Sequence, residues 1–190
     1  MRAFIAVELP EDIRGSLARI QEKLKTAQAD VKWVEPQNIH LTIKFLGERD
    51  DKKIEKIMQI LEETASDKKA FQACICSIGV FPKVDFPRVI WLGIDKGDSE
   101  IKTIAKELEE KIAKIGIPKE ERPFSSHITI GRTKSALNRE NLVQCLKKTA
   151  NDFEMERLEF NITRLTLFKS TLGPKGPTYE ALKVANLIIS

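Results

Sequence analysis

The chain contains two histidines, and both open the same kind of tetrapeptide: His40 in "NIHLTIKFLG" and His127 in "SSHITIGR". Imidazole, with an ordinary pKa of about 6.5, takes up or releases a proton close to neutrality. A pair working together supplies a general base and a general acid, each worth roughly 10²–10⁴ in rate. A threonine stands two residues after each histidine, Thr42 and Thr129, and Arg132 follows the second motif. In a strand, residues i and i+2 share a face. That spacing puts His40, Thr42 and Lys44 on one side, and Ile39, Leu41, Ile43 and Phe45 on the core side. In the second stretch His127, Thr129 and Gly131 share a face, and Ile128, Ile130 and Arg132 take the other. Hydroxyls and a guanidinium donate well to the non-bridging oxygens of a phosphate. The set suits in-line attack on a phosphodiester and needs no metal.

Weighed alone, one His-x-Thr in a strand is ordinarily a surface histidine or a hydrogen-bonded core one. Two copies, using every histidine and placed at matching points of a cryptic repeat, argue for a paired function. Metal ligation by the pair lacks further donors, because no Asp, Glu or Cys stands at ligand-like spacing. Cys74, Cys76 and Cys145 lie in apolar stretches and read as reduced core residues. No P-loop or nucleotidyl-transfer lysine motif is present. The expectation is therefore a site with no metal and no cofactor.

The elements that must hold these strands follow from periodicity. "RAFIAVEL" reads as a buried strand ended by Pro10, which suits the first turn of a helix. Ile13, Leu17, Ile20 and Leu24 then give a helical stripe, and Ile54, Ile57, Met58 and Leu61 a second. "FQACICSIGVF" and "RVIWLGI" suggest a hairpin. Asp98 and Ser99 read as caps of a third helix, stopped by Gly116 and Pro118. Asn138 reads as the cap of a fourth, shorter helix, and "FEMERLEF", "ITRLTLFKS" and "TYEALKVANLII" as closing strands. About four helices and about eight short strands, many in hairpins, predict an α+β fold of largely antiparallel sheets. With the two halves about a pseudo-two-fold axis, the two histidine faces meet across a cleft.

Composition narrows the partners. The 190 residues are 42% hydrophobic with only 9 Gly and 8 Pro, as in a folded protein. Charged residues reach 32%, with the Lys and Glu bias of proteins from hot environments, a bias that long solvated helices also produce. A net charge of +4 favours a small phosphate-bearing ligand over a long duplex. "MRAFIAVELPED" turns acidic too early for a signal peptide, and no apolar run approaches the roughly 18 residues of a membrane span. The expectation is a soluble, cytoplasmic monomer with no membrane partner.

"HLTIKFLG" and "HITIGR" resemble the paired His-x-Thr-x motifs of the 2H phosphoesterase superfamily. More narrowly, the chain is similar to the bacterial and archaeal RNA 2′,3′-cyclic phosphodiesterases, historically called 2′-5′ RNA ligases. "MRAFIAVELP" and "LTLFKSTLGPKGPTYEAL" extend the likeness over essentially the whole length. The resemblance implies one domain over residues 1–190, built of two intertwined pseudo-symmetric lobes around a central cleft. It implies hydrolysis of 2′,3′-cyclic phosphate at RNA ends or nucleotides to a 2′-phosphate. By the same resemblance His40 matches the proton donor, His127 the proton acceptor, and Thr42 and Thr129 the phosphate contacts; it fixes Lys44 and Arg132 less firmly. Two alternatives stand beside hydrolysis: the reverse reaction, forming 2′-5′ linkages, and RNA-end binding without turnover. Arg122, Phe124 and Ser126 border the second motif in what otherwise reads as a solvated loop. Trp33 and Tyr179 are either base-stacking or packing aromatics, with packing the commoner role.

Overall fold

An apolar run closed by proline starts the chain, and in the computed structural model it is strand β1 (Arg2–Glu8). The structure describes residues 1–155, 157–174 and 176–189, with the backbone alone for 153–155. Helix α1 (Glu11–Lys25) follows, with Pro10 at its cap position, acids in its first turn and lysines in its last, which complement its dipole. Then come β2 (Val31–Trp33), a 3₁₀ turn (Pro36–Asn38), β3 (His40–Glu48) and α2 (Asp51–Ser66). The β4 (Phe71–Lys83) and β5 (Phe86–Ile94) hairpin leads to α3 (Asp98–Ala113), β6 (His127–Thr133) and α4 (Arg139–Met155). Strands β7 (Leu158–Ile162), β8 (Arg164–Gly173) and β9 (Gly176–Asn186) close the chain.

The strands form two sheets, ordered β3-β1-β8-β9 and β2-β6-β5-β4-β7, and every pairing between them is antiparallel. Set β2 aside and the second order matches the first position for position. Each histidine strand then takes the same place, beside β1 in one sheet and β5 in the other. Helices α2 and α3 pack together, α2 on β8 and β9 and α3 on β3, while α4 packs on α1, β4 and β5. One apolar cluster runs through both sheets and their helices, with Leu41 and Leu167 from one sheet, Leu92 and Ile128 from the other, Leu61 of α2 and Leu108 of α3 all fully buried. The fold is thus α+β, with two antiparallel sheets and helices outside.

Local departures from periodicity have physical causes. Gln21 rather than Ile20 fills the buried stripe of α1, because its amide donates to the carbonyls of Val34 at 2.7 Å and Ile130 at 3.0 Å. Gly97, at φ 85°, caps α3, and Asp98 lies inside the first turn where it pairs with Lys102 at 2.7 Å. Asn138 adopts φ 51° before α4 and spends its side-chain amide on the Gln28 carbonyl, 2.9 Å away. Helix α4 is not short: it spans 17 residues and takes in Phe153–Met155 of the expected "FEMERLEF" strand, so β7 starts only at Leu158. Glu156 of that stretch lies outside the described residues.

Two bulges decide which way the side chains beyond them point. On β3, Thr42 pairs with Ala6 but Lys44 pairs with Ile5, leaving Ile43 unmatched. On β6, Thr129 pairs with Trp91 but Gly131 pairs with Ile90, leaving Ile130 unmatched. One extra residue reverses the alternation beyond it. Lys44 therefore turns inward, 2% exposed, and donates to Glu109 of α3 at 2.6 Å. Phe45 turns outward, 59% exposed, contrary to the strict two-residue period. Arg132 holds the position matching Phe45 and is exposed in the same way.

Stripping Glu109 of its carboxylate strands the Lys44 ammonium in the core, whereas removing the ammonium leaves a carboxylate that is 23% exposed and also accepts from the Glu120 backbone N–H. Glu109→Ala is therefore expected to cost about 3 kcal/mol and Lys44→Met less than about 1 kcal/mol, measured by urea unfolding. Equal costs would refute this asymmetry.

Candidate active site

Each imidazole is held by a backbone carbonyl two residues upstream. The Nδ1 atom of His40 lies 2.7 Å from the Asn38 carbonyl oxygen, and that of His127 lies 2.8 Å from Ser125's. A carbonyl only accepts, so Nδ1 carries the proton in both rings and Nε2 is left to exchange one. The 3₁₀ turn before β3 is itself anchored, since the Asn38 side chain donates to the Pro177 carbonyl at 3.0 Å. Nε2 of His40 lies 2.9 Å from Thr42 Oγ1. In the neutral ring this nitrogen accepts from the threonine hydroxyl.

Aromatic rings set the environment of each imidazole. Phe4 stacks on His40 at 4.9 Å between centroids, Tyr179 meets it edge-on at 5.4 Å, and Phe168 backs Phe4 at 5.4 Å. Around His127, Phe81 lies edge-on at 5.5 Å and stacks on Trp91 at 5.0 Å. Trp91 lies flat over Gly79, where a Cβ would come within 2.4 Å of the indole, so no larger residue fits there without moving the ring. Two environments on one scaffold follow, an enclosed ring at His40 and a more open one at His127.

The two motifs come together. β3 is an edge strand, β2 covers only the Gly131–Thr133 end of β6, and β3 and β6 lie against each other. Burial pushes the Tyr179 phenol above its ordinary value, opposed by the positive charges of Arg2 and Arg132. Tyr179 belongs to the site as well as to the packing, while Trp33 packs over Gly131. Phe124 packs on the core, Ser126 is buried, and Arg122 borders a groove along the β4–β5 hairpin.

Phe4, Phe81, Trp91 and Arg2 complete the surroundings and had no motif to mark them. Their signal is alternation: Ala3, Ile5 and Val7 join the core, which turns Phe4 to the other face, and Trp91 sits opposite Thr129 as Ala6 sits opposite Thr42. Among the described residues no group of three or more His, Cys, Asp or Glu side chains is arranged to hold a metal ion, and no helix is long and apolar enough to cross a membrane.

Burial lowers the pKa of His40, partly offset by its bond to the Asn38 carbonyl. The unfolded chain then takes up a proton near pH 6.5 that the folded chain resists. Stability is lost as pH falls from about 6.5 through the lowered value, and is unaffected above it. In urea unfolding across that window, wild type is expected to lose stability that His40→Gln keeps. An imidazole titration of His40 by NMR is expected below 6.5, and a midpoint above 6.5 would contradict the burial argument.

The family model described as LigT like phosphoesterase matches the chain twice, over residues 7–91 and 92–179. These segments begin at Val7 of β1 and Leu92 of β5, the strands that take matching places beside β3 and β6. The chain is 37% identical to a protein of Methanocaldococcus jannaschii named RNA 2′,3′-cyclic phosphodiesterase, covering 96% of this chain and 99% of that one. A protein of Methanothermobacter thermautotrophicus with the same name is 34% identical, covering 98% and 99%. A crystal structure from Thermus thermophilus superposes with a TM-score of 0.83 at 28% identity, covering 98% of each chain.

Proposed function

The chain belongs to the LigT-like phosphoesterase family, and from that premise we propose that it hydrolyses the 2′,3′-cyclic phosphodiester at RNA ends or on nucleotides to a 2′-phosphate. The observation that carries this reading is the matched pair of imidazoles. Each keeps its Nδ1 proton on a carbonyl, and each has a threonine two residues on along the same face. The names of the relatives support the choice of a cyclic RNA phosphate as substrate.

In the proposed reaction, Nε2 of His127 takes a proton from water as the water oxygen attacks phosphorus. The bond from phosphorus to O3′ breaks, and the Nε2 proton of His40 goes to O3′. The products are a 2′-phosphate and a free 3′-hydroxyl, with one proton gained by His127 and one lost by His40. Thr42, Thr129 and Arg132 donate to the non-bridging oxygens where charge grows, the kind of contact that accelerates the chemical step. Burial favours neutral His40 in the free protein, so the donor role requires the bound phosphate anion to restore its proton. This places the phosphate and Thr42 in competition for the same nitrogen, and substrate binding breaks the 2.9 Å hydrogen bond between His40 and Thr42.

His40→Ala and His127→Ala are each expected to lower kcat on a 2′,3′-cyclic nucleotide by about 10²–10⁴ with little change in Tm, and excess EDTA to leave the wild-type rate unchanged. Wild-type rates in both variants would refute the proposal, and inhibition by chelation would point to a metal mechanism. An RNA-end-binding module without turnover would instead show no hydrolysis to lose. NMR supplies a separate check on roles: the His40 pKa is expected to rise when a nucleoside 2′-phosphate binds. No rise would assign His40 as acceptor rather than donor.

A further inference from the structure

Beyond Phe81, the β4–β5 hairpin carries aromatic and cationic groups that the proposed reaction does not use. They line an open groove of about 560 Å³, with Phe81, Lys83, Phe86 and Arg88 from the hairpin and Arg122 from the loop before β6. Phe86 is 49% exposed at the start of β5, next to the hairpin tip. The Arg139 guanidinium lies 3.9 Å from the centre of its ring, and the Lys83 ammonium 6.0 Å. Arg139 opens α4, where the helix dipole disfavours a cation. The face of Phe86 compensates for that placement.

Some cations elsewhere are neutralised, Lys68 by Asp67 and Glu107, Lys111 by Glu107 and Lys183 by Glu62, while others among the described residues, such as Lys32 and Lys134, are as free of ion pairs as those of the groove. Among the described residues, Lys83, Arg88, Arg122 and Arg139 form no ion pair. The hairpin has a single acid, Asp85, at its tip. Unpaired cations around exposed aromatic faces are the chemistry of single-stranded nucleic acid, whose bases stack while its phosphates are neutralised. A duplex hides its base faces and would leave Phe86 without a partner. The groove is also continuous with the histidine site, since Phe81 at its inner end meets His127 edge-on at 5.5 Å.

We propose that this groove binds the single-stranded nucleotides preceding the cyclic end, a base on Phe86 and phosphates on Lys83, Arg88 and Arg122. The site then takes an RNA oligonucleotide in preference to a mononucleotide. The proposal rests on the phosphodiesterase reading and specifies its substrate class.

The test compares kcat/KM on a 2′,3′-cyclic mononucleotide with kcat/KM on a short single-stranded RNA carrying the same end. It uses wild type, Phe86→Ser and the double variant Lys83→Gln/Arg88→Gln. Each variant is expected to lose about 5- to 100-fold on the oligonucleotide and to keep the wild-type rate on the mononucleotide, which also shows that it is folded. In parallel, fluorescence anisotropy with a labelled single-stranded RNA ending in a phosphate is expected to show weaker binding. The double variant should also show a shallower salt dependence, by about one unit of slope for each phosphate left without its cation. Unchanged oligonucleotide kinetics, or equal losses on both substrates, would overturn the proposal, as would competition by duplex RNA as strong as by single strands. If wild type turns over neither substrate, the hydrolase reading fails, while the anisotropy measurement still decides the groove.

Discussion

A hydrogen bond from imidazole Nδ1 to the carbonyl two residues upstream is the constraint on which the site depends, and it occurs at both His40 and His127. It fixes the tautomer and leaves Nε2 as the one nitrogen able to exchange a proton. The bond is cheap to build, because the chain enters each histidine strand from a turn or loop whose carbonyl is not spent in a sheet. It is also rigid, because the strands behind are anchored in the core by Ile39, Leu41 and Ile43 in one motif and by Ile128 and Ile130 in the other. Buried aliphatic side chains of this size contribute about 1.5–3 kcal/mol each. The orientation of each ring is thus set by packing energy several residues away.

Matched scaffolds then receive unlike surroundings. His40 is stacked on Phe4, touched by Tyr179 and pushed toward its neutral form by burial. His127 meets Phe81 and Trp91 mainly by their edges and has the more accessible side chain. Placing like groups in unlike environments is a general way to divide acid and base roles between them. Here the unlike surroundings follow from what β1 and β5 put opposite the threonines and beside them: Ala6 and Phe4 in one sheet, Trp91 in the other.

Much of this was legible in the sequence. Period-two alternation placed His40 with Thr42 and His127 with Thr129, and the repeated tetrapeptide pointed to two equivalent strands. The same rule failed one residue later. Bulges at Ile43 and Ile130 reverse the alternation, so Lys44 goes to the core, Phe45 to the surface, and Arg132 to the matching exposed position. Nothing in "TIKF" or "TIGR" marks a bulge, since the extra residue is aliphatic in both and no glycine announces it in the first. The cap expected at Asp98 is displaced by Gly97, which takes the position before α3 at a positive φ, whereas Asn138 does precede α4, its carbonyl accepting from the Leu142 N–H while its side-chain amide goes to Gln28. Phe4 stayed hidden because "RAFIAVEL" is apolar on both faces, and only the three-dimensional structure shows which face meets His40.

The central claim is that two imidazoles act on one phosphate as a unit. A double-mutant cycle on kcat for a 2′,3′-cyclic substrate, comparing His40→Ala, His127→Ala and the double variant, tests it most directly. Groups that work in one step lose far less together than the product of their separate losses. The account predicts a double variant about as slow as the slower single variant. Fully multiplicative losses would mean that the histidines contribute independently and would contradict it.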